Sequence, residues 1–376
     1  MLSRRAAVAG IASVACVTLA LSVAAPANAS APAGPVKVGN VQKAMEDLLK
    51  SGHVVGAIGE VYLDGKLIGK GSAGSRLLDG KGGAIPSNAR YRIGSQTKKM
   101  TAAVVLQLVN EGKLSLDDKL SAVLPEVAEK DLVERADEIT VRNLIQMTSG
   151  IPEFLGPDTM DPTRNYSPTD LLAASRKNPR PVEIGTFSHS NTDYILLGVI
   201  IEKLSGRSLA AELNRRLFAP LGMRDTYLPT KPWEGIKGPH GHGYAMDETG
   251  TLHDADKINA TIMLGAGGVV STARDVSAFN RALRQGRLLP ESLSDLLTGP
   301  PPGMPPRTDG GPCAGNPEFA PGSLGTAPGF VASTASSSDG RLQFAVSVTL
   351  SGDDAERMNT PPHITDALKS VFCPSA

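Results

Sequence analysis

Two pairs of apolar runs, one near each end of the 376-residue chain, most constrain the fold. The first pair, 54–63 and 66–71, flanks an Asp-Gly step, and the second, 329–337 and 342–350, flanks a Ser-Asp-Gly step. Such steps between apolar runs are strong signals of β-hairpins. Because helical periodicity dominates between the hairpins, we predict an α/β fold of the α+β type. One antiparallel sheet is built from both chain ends with flanking helices, and a mostly helical region is inserted between them.

Apolar residues at helical spacing predict the helices. The predicted segments are 41–49, 97–111, 141–147, 168–175, 194–204, 209–217, 273–283 and 364–372. The proline-rich stretch 300–306 is predicted to be a loop, because proline lacks a backbone donor.

The N-terminus has the pattern of a secretory signal. Arg4 and Arg5 precede an apolar run over 6–25, and Ala27-Asn28-Ala29 provides a small-x-small cleavage site. We therefore expect a signal peptide over 1–29, cleaved after Ala29, a disordered lead-in over 30–40, and a secreted, extracellular protein. A membrane anchor is the alternative interpretation, and the route of export, general secretory or twin-arginine, stays open.

We expect one catalytic domain over 41–375, with a sheet subdomain (41–94 and 265–375) and a mainly helical subdomain (95–264). Lysine and arginine number 38, as do aspartate and glutamate, and no basic stripe suggests nucleic acid. Cys16 lies in the apolar run of the leader, and Cys313 and Cys373 remain. Two cysteines in an exported protein predict one disulfide.

The stretch Ser95-Gln96-Thr97-Lys98 begins a predicted helix. A spacing of three places the Ser95 hydroxyl and the Lys98 amine on one face of that helix. Backbone N–H groups and the positive end of the helix dipole lie beside such a serine. This combination suits a nucleophile with a base at hand, and Ser-x-x-Lys is a known acyl-transfer signature. A helix cap followed by a surface lysine is the structural alternative.

These residues, together with several ordered segments, resemble the serine β-lactamase and penicillin-binding-protein superfamily. The resemblance is to its class C-like branch, with the secreted Streptomyces-type D-alanyl-D-alanine carboxypeptidases, and it extends from about residue 41 to 373. It is carried by 104–114, Met147-Thr148-Ser149-Gly150-Ile151, Ser190-Asn191-Thr192, the glycine segment 265–272, and the two mature cysteines.

The resemblance implies an acyl-enzyme on Ser95, with Lys98 taking or sharing the serine proton. Asn191 corresponds to the asparagine that orients the substrate and the lysine. The backbone N–H groups of Ser95 and Thr326 correspond to the oxyanion hole. Water then releases the acyl group.

Two positions depart from the family pattern. His189 stands where the family usually has tyrosine, and its imidazole, with an ordinary pKa near roughly 6.5, can act as a proton relay. The alternative is a polar residue packed beside an altered site. Ser323-Leu324-Gly325 replaces a Lys/His-Thr-Gly motif that helps to recognise a substrate carboxylate. Arg307 could supply the missing charge, or it could be a solvated surface residue.

We expect no cofactor and no metal, since His240 and His242, in a glycine-flanked loop with no nearby cysteine, are expected to be solvated. The expected partner is a small-molecule or peptidoglycan-peptide substrate, with no stable membrane insertion after signal removal and a monomeric state. The sequence thus predicts an exported serine hydrolase resembling D-alanyl-D-alanine carboxypeptidases or β-lactamases. An esterase of the same branch and a catalytically degenerate binding or regulatory member are the alternatives.

Overall fold

The computed structural model describes residues 36–159, 161, 163–247, 249–300, 302–303, 319–352 and 354–373. The strands are β1 (Val54–Leu63), β2 (Lys66–Gly74), β3 (Tyr91–Arg92), β4 (Tyr244–Met246), β5 (Leu252–Asp254), β6 (Val270–Ser271), β7 (Phe319–Ala327), β8 (Phe330–Ser337) and β9 (Leu342–Gly352). The helices are α1 (Val41–Leu49), α2 (Thr97–Asn110), α3 (Leu120–Val123), α4 (Pro125–Glu129), α5 (Val141–Gln146), α6 (Pro168–Arg176), α7 (Thr192–Ser205), α8 (Leu209–Leu213), α9 (Leu264–Gly267), α10 (Ala273–Arg284), α11 (Glu291–Thr298) and α12 (Asp354–Phe372).

The two terminal hairpins meet in one sheet, which confirms the predicted fold class. Strands β2, β1, β9, β8 and β7 lie side by side in that order, and every neighbouring pair is antiparallel. Strands from both chain ends meet at the β1–β9 pair, where Ala57 is opposite Val348. The fold therefore closes only when the first and last parts of the chain have come together.

Helices cover both faces of this sheet, which explains why β1 is buried along nearly all of its length. Successive side chains of a strand point to opposite faces. Ala57 and Val61 belong to a cluster with apolar residues of α1 and α12. Ile58 belongs to a second cluster, which includes α10 and the helical region.

Helices α2 and α7 form the centre of the helical region. Most residues of both helices are buried, as expected of helices enclosed by other elements. The short ladder β3–β6 lies at the entrance to α2, and Tyr91 is opposite Ser271. The functional residues described below lie on and beside these elements.

Two features differ from the sequence predictions. Tyr244 of β4 pairs in parallel with Ser351, so the seven-stranded sheet is not wholly antiparallel. Helix α12 begins at Asp354, ten residues before the predicted start, and continues through Pro361 and Pro362. Proline removes backbone donors, so the sequence predicted a helix only beyond them. The apolar side chains from residue 364 onward pack on the sheet and hold this helix in place.

The division into signal peptide, lead-in and two subdomains stays a prediction, and residues 1–35 lie outside the described part. Ordered contacts begin before the predicted end of the lead-in at 40. The Gly39 N–H donates to Val371 O, and the Asn40 side chain caps α1. Within the described residues, we find no helix long and apolar enough to cross a membrane.

Candidate active site

Ser95 lies at the junction between β3 and α2, in a single 3₁₀ turn over Gly94–Gln96. Gly94 has a φ of 54°, and a Cβ there would lie 2.4 Å from Thr326 O. The positive φ and the contact with Thr326 each exclude a side chain at this position. The Ser95 N–H donates to no backbone acceptor among the described residues, so it is free to receive an oxyanion.

Lys98 points from the first turn of α2 towards Ser95. Its Nζ donates to Ser95 Oγ at 3.2 Å, to Asn191 Oδ1 at 2.7 Å and to Ala266 O at 2.9 Å. The side chain is buried, and the loss of water lowers the pKa of Lys98 to about 8, against the opposing negative charges of Glu153 and Asp193. About one tenth of the lysine is therefore in the neutral form at pH 7, the form that a base requires.

Asn191 is the N-cap residue of α7, yet its side chain does not cap the helix. Its Oδ1 accepts from Lys98, while its Nδ2 donates to Glu153 Oε2 at 2.8 Å and its backbone N–H to the same oxygen at 3.1 Å. The amide is held between a cation and a carboxylate, which fixes the direction of both its ends. The capping role falls to Ser190 Oγ, which accepts from Asp193 N at 3.0 Å.

The glycine segment before β6 packs against α2. A Cβ on Gly265 would lie 2.8 Å from Tyr194 O, and Thr101 Oγ1 donates to Gly265 O at 2.8 Å. This close approach brings the carbonyl of Ala266 within reach of Lys98. The glycines thus allow the backbone carbonyl of Ala266 to accept a hydrogen bond from Lys98.

The third segment, Ser323-Leu324-Gly325-Thr326, lies in β7 along the N-terminal end of α2. A Cβ on Gly325 would lie 2.0 Å from Ile93 O and 2.9 Å from Ser95 N. Thr326 is adjacent to Gly94, so its backbone reaches the same end of the helix as the Ser95 N–H. Ser323 is half-buried and Leu324 is 45% exposed. The edge beside Ser95 is therefore uncharged along these residues.

His189 lies on the loop two residues before Asn191 and is exposed. Within the described part of the chain, its ring forms no hydrogen bond. Partial loss of water and the positive charge of Lys98 lower the pKa of His189, although the charge of Glu153 opposes them. The imidazole is therefore mainly neutral at pH 7. Its role as a proton relay stays a prediction.

Asp193 is a buried carboxyl beneath the site. Burial raises its pKa to about 8, although hydrogen bonds from Ser149 and Ser190 oppose the shift. Ser149 Oγ donates to its Oδ1 at 2.6 Å, while Oδ2 has no hydrogen-bond partner among the described residues. The group is therefore largely protonated at neutral pH and links the Met147–Ile151 stretch to α7.

The remaining predicted residues are Arg307, the two cysteines and the pair His240 and His242. Arg307 and Cys313 fall outside the described residues, so the charge assigned to Arg307 and the disulfide with Cys373 stay predictions. The expectation that His240 is solvated is wrong. His240 is buried, its Nδ1 lies 2.6 Å from Gly238 O, and its ring stacks on that of His242. The β4–β5 hairpin, which was not predicted from the sequence, follows directly after both histidines.

The structure brings Ser95, Lys98 and Asn191 into one hydrogen-bonded group, with Gly325 and Thr326 at its edge. Sequence reasoning missed Glu153 and the Ala266 carbonyl. Glu153 closely follows the Thr148-Ser149-Gly150-Ile151 stretch, but an isolated glutamate carries no pattern, and any backbone carbonyl is invisible in a sequence. This arrangement can deprotonate a serine and stabilise an oxyanion, the two requirements of acyl transfer.

Comparison with protein families agrees with this chemistry. A family model described as Beta-lactamase matches residues 41–366. The chain belongs to the β-lactamase family. Its fold is that of the β-lactamase/transpeptidase-like serine hydrolase superfamily.

Individual relatives extend this picture. The chain is 33% identical over 250 residues to "Penicillin-binding protein 4" of Amycolatopsis lactamdurans, covering 64% of this chain and 62% of the relative. It is 28% identical over 230 residues to "Penicillin-binding protein 4*" of Bacillus subtilis, covering 57% of this chain and 49% of the relative. The matches thus span roughly half to three fifths of these relatives' lengths.

Two solved structures match over most of their lengths. A D-stereospecific amidohydrolase from Streptomyces sp. has a TM-score of 0.70 and 26% identity, covering 89% of this chain and 98% of that one. A D-amino acid amidase from Ochrobactrum anthropi SV3 has a TM-score of 0.74 and 23% identity, covering 88% and 97%, and shows the shared fold alone.

Proposed function

We propose that this protein is an exported serine hydrolase that forms an acyl-enzyme on Ser95 and cleaves an amide or ester bond next to a D-configured residue. The contacts of Lys98 with Ser95 and Asn191 support the acylation step. The neutral lysine takes the hydroxyl proton as Oγ attacks the carbonyl carbon, and the N–H groups of Ser95 and Thr326 receive the oxyanion. The proton passes to the leaving group, and water then releases the acyl group.

We infer the class of substrate from the lack of charge along the edge of β7 beside Ser95. Ser323 and Leu324 offer no positive charge to a carboxylate on the leaving group. We therefore favour substrates whose leaving group lacks a carboxylate, such as D-amino acid amides and esters. The similarity to a D-stereospecific amidohydrolase supports the same class.

A D-alanyl-D-alanine carboxypeptidase is the second candidate. The similarity to penicillin-binding proteins favours it, provided that Arg307 supplies the charge that Ser323 lacks. The Ser323→His variant should then gain carboxypeptidase activity, whereas Arg307→Ala should lose it.

Intact-mass measurement after incubation tests both candidates. The mature protein is exposed separately to a D-alanine ester and to a penicillin, with Ser95→Ala as the matched control. An ester-derived acyl adduct without a penicilloyl adduct supports the amidase and esterase class. A penicilloyl adduct that Arg307→Ala abolishes supports the peptidase. If neither substrate nor a fluorophosphonate labels Ser95, the protein is a degenerate binding member and the proposal is wrong.

Export is tested on the same protein by the mass of the form recovered from culture medium. The leader predicts an N-terminus at Ser30. Recovery only from cells, with the residues before Ser30 intact, would contradict export.

A further inference from the structure

A cluster of two imidazoles and a carboxylate lies at the β4–β5 hairpin. His240 and His242 precede β4, and Asp256 follows β5. One potential ligand atom from each residue lies within 4.8 Å of the others. His240 is buried and the other two side chains are half-buried. None of the three contacts Ser95, Lys98 or Asn191 through a hydrogen bond.

In both rings Nδ1 already has an acceptor. His240 Nδ1 lies 2.6 Å from Gly238 O, and His242 Nδ1 lies 2.7 Å from Asp254 Oδ2. A carbonyl and a carboxylate can only accept, so the hydrogen of each neutral ring is on Nδ1 and the lone pair is on Nε2. Metal-binding histidines are held in this way, by a backbone carbonyl or a carboxylate behind the ring.

A second observation is that the Nε2 atom of His240 is within ion-pair distance of Asp256 but has no hydrogen bond of good geometry. It is buried and forms no well-aligned hydrogen bond with any described residue, although Asp256 Oδ1 is 3.1 Å away. Buried polar atoms without partners are uncommon in folded proteins. The carboxylate of Asp256 lies beside this atom.

We propose that Nε2 of His240, Nε2 of His242 and the carboxylate of Asp256 bind one divalent transition metal, with zinc the best match. Imidazole nitrogen and carboxylate oxygen at about 2.0–2.2 Å are common ligands of zinc, and water completes the coordination. Two such bonds allow ligand atoms up to about 4.2 Å apart. Rotation of the half-buried side chains of His242 and Asp256 would bring the ligand atoms, now within 4.8 Å of one another, to this shorter distance.

The metal would link the two ends of the β4–β5 hairpin. Both histidines and Asp256 flank this hairpin, and β4 pairs with the end of β9. No residue of the cluster belongs to the acylation machinery. The metal therefore stabilises this corner of the fold, and the rate at which a fluorophosphonate labels Ser95 is the same with and without it.

Calorimetric titration tests the proposal. Mature protein without an affinity tag is stripped with a chelator and titrated with Zn²⁺, and its thermal unfolding is recorded with and without the ion. We expect one ion per chain and a higher melting temperature with zinc, because an ion that binds only the folded state stabilises it. Co²⁺ in place of zinc should give visible absorption bands that change when the ligands change.

Matched variants locate the ion. His242→Gln and Asp256→Asn should weaken binding at least about 100-fold, and Asp254→Asn about 10–100-fold, since loss of the group behind a ligand costs that much. His253→Gln is the control, because this exposed ring pairs with Asp247 outside the cluster. A second control, His189→Phe, guards against zinc bound at the nucleophile. Both controls should bind like the wild type.

The absence of saturable binding would overturn the proposal, leaving His240 and Asp256 as an ion pair without a metal. Equal binding by Asp256→Asn and the wild type, or loss of binding in either control, would place the ion elsewhere and overturn it as well. If His242→Gln fails to fold, Asp254→Asn decides, since it keeps all three ligands. Unfolding of each stripped variant provides the check on folding.

Discussion

The pH dependence of acylation identifies the first base. Burial lowers the pKa of Lys98 to about 8, so about one tenth of the lysine is neutral at pH 7 and about nine tenths at pH 9. If the neutral amine takes the Ser95 proton, the second-order rate constant of acylation should rise about tenfold between these values. The acylation rate constant is therefore high above the pKa of Lys98 and falls as pH drops through that pKa.

The competing base gives a different profile. The pKa of His189 lies below its ordinary value of 6.5, so a rate that depends on neutral His189 would reach its plateau before pH 7. Fluorophosphonate labelling of Ser95 from pH 5 to 10, corrected for reagent hydrolysis, separates the two cases. A flat profile from pH 7 to 9 would refute the assignment of Lys98.

Glu153→Gln sharpens the test. The negative charge of Glu153 raises the pKa of Lys98, against the larger effect of burial. Removing that charge should move the midpoint of the profile to lower pH, while the glutamine oxygen can still accept from Asn191 Nδ2. Glu183→Gln is the matched control, because its carboxylate is 78% exposed and pairs with Arg135. An equal midpoint in all three proteins would contradict electrostatic tuning by Glu153.

Further outcomes are expected for five variants. Ser95→Ala should lose at least about a thousandfold in rate, and Lys98→Met should abolish acylation with an unchanged circular dichroism spectrum; activity retained in either would contradict the mechanism. His189→Phe should slow acylation without moving the midpoint near pH 8, and a moved midpoint would assign it to the histidine. Gly325→Ala should reduce the acylation rate by about 10²–10³-fold, since its Cβ would lie 2.0 Å from Ile93 O and would displace the Thr326 N–H; a rate near that of the wild type would show that this strand can shift freely. In the wild type, the pKa of Asp193 in the folded protein is about 8, above the ordinary value of 3.8. The protonated carboxyl therefore stabilises the folded state fully below pH 3.8, and this stabilisation is lost as pH rises through about 8. Asp193→Asn should therefore show a smaller fall in melting temperature from pH 4 to 8, and an equal fall would mean that Asp193 is already ionised.

Much of the local structure was predictable because its signals are short-range. The predicted bounds of α1 and of β1 agree with the structure, since periodicity and an Asp-Gly turn encode them within a few residues. The alignment of Ser95 and Lys98 on one face also follows from helical spacing. Helix α12 was predicted only from residue 364, because the local rule for proline takes no account of how the helix packs on the sheet.

The sequence alone determined which residue types are present for acyl transfer, and only the tertiary structure decided how they are tuned. Residues 93 and 168 positions away, Asn191 and Ala266, fix the amine of Lys98, and burial by the surrounding helices lowers its pKa. Glu153 became a functional candidate through its contact with Asn191, and the two histidines became a cluster with Asp256 only when the hairpin closed. Periodicity and turn signals act over a few residues along the chain. Desolvation and charge–charge interactions instead depend on distances in space, which exist only after the chain has folded.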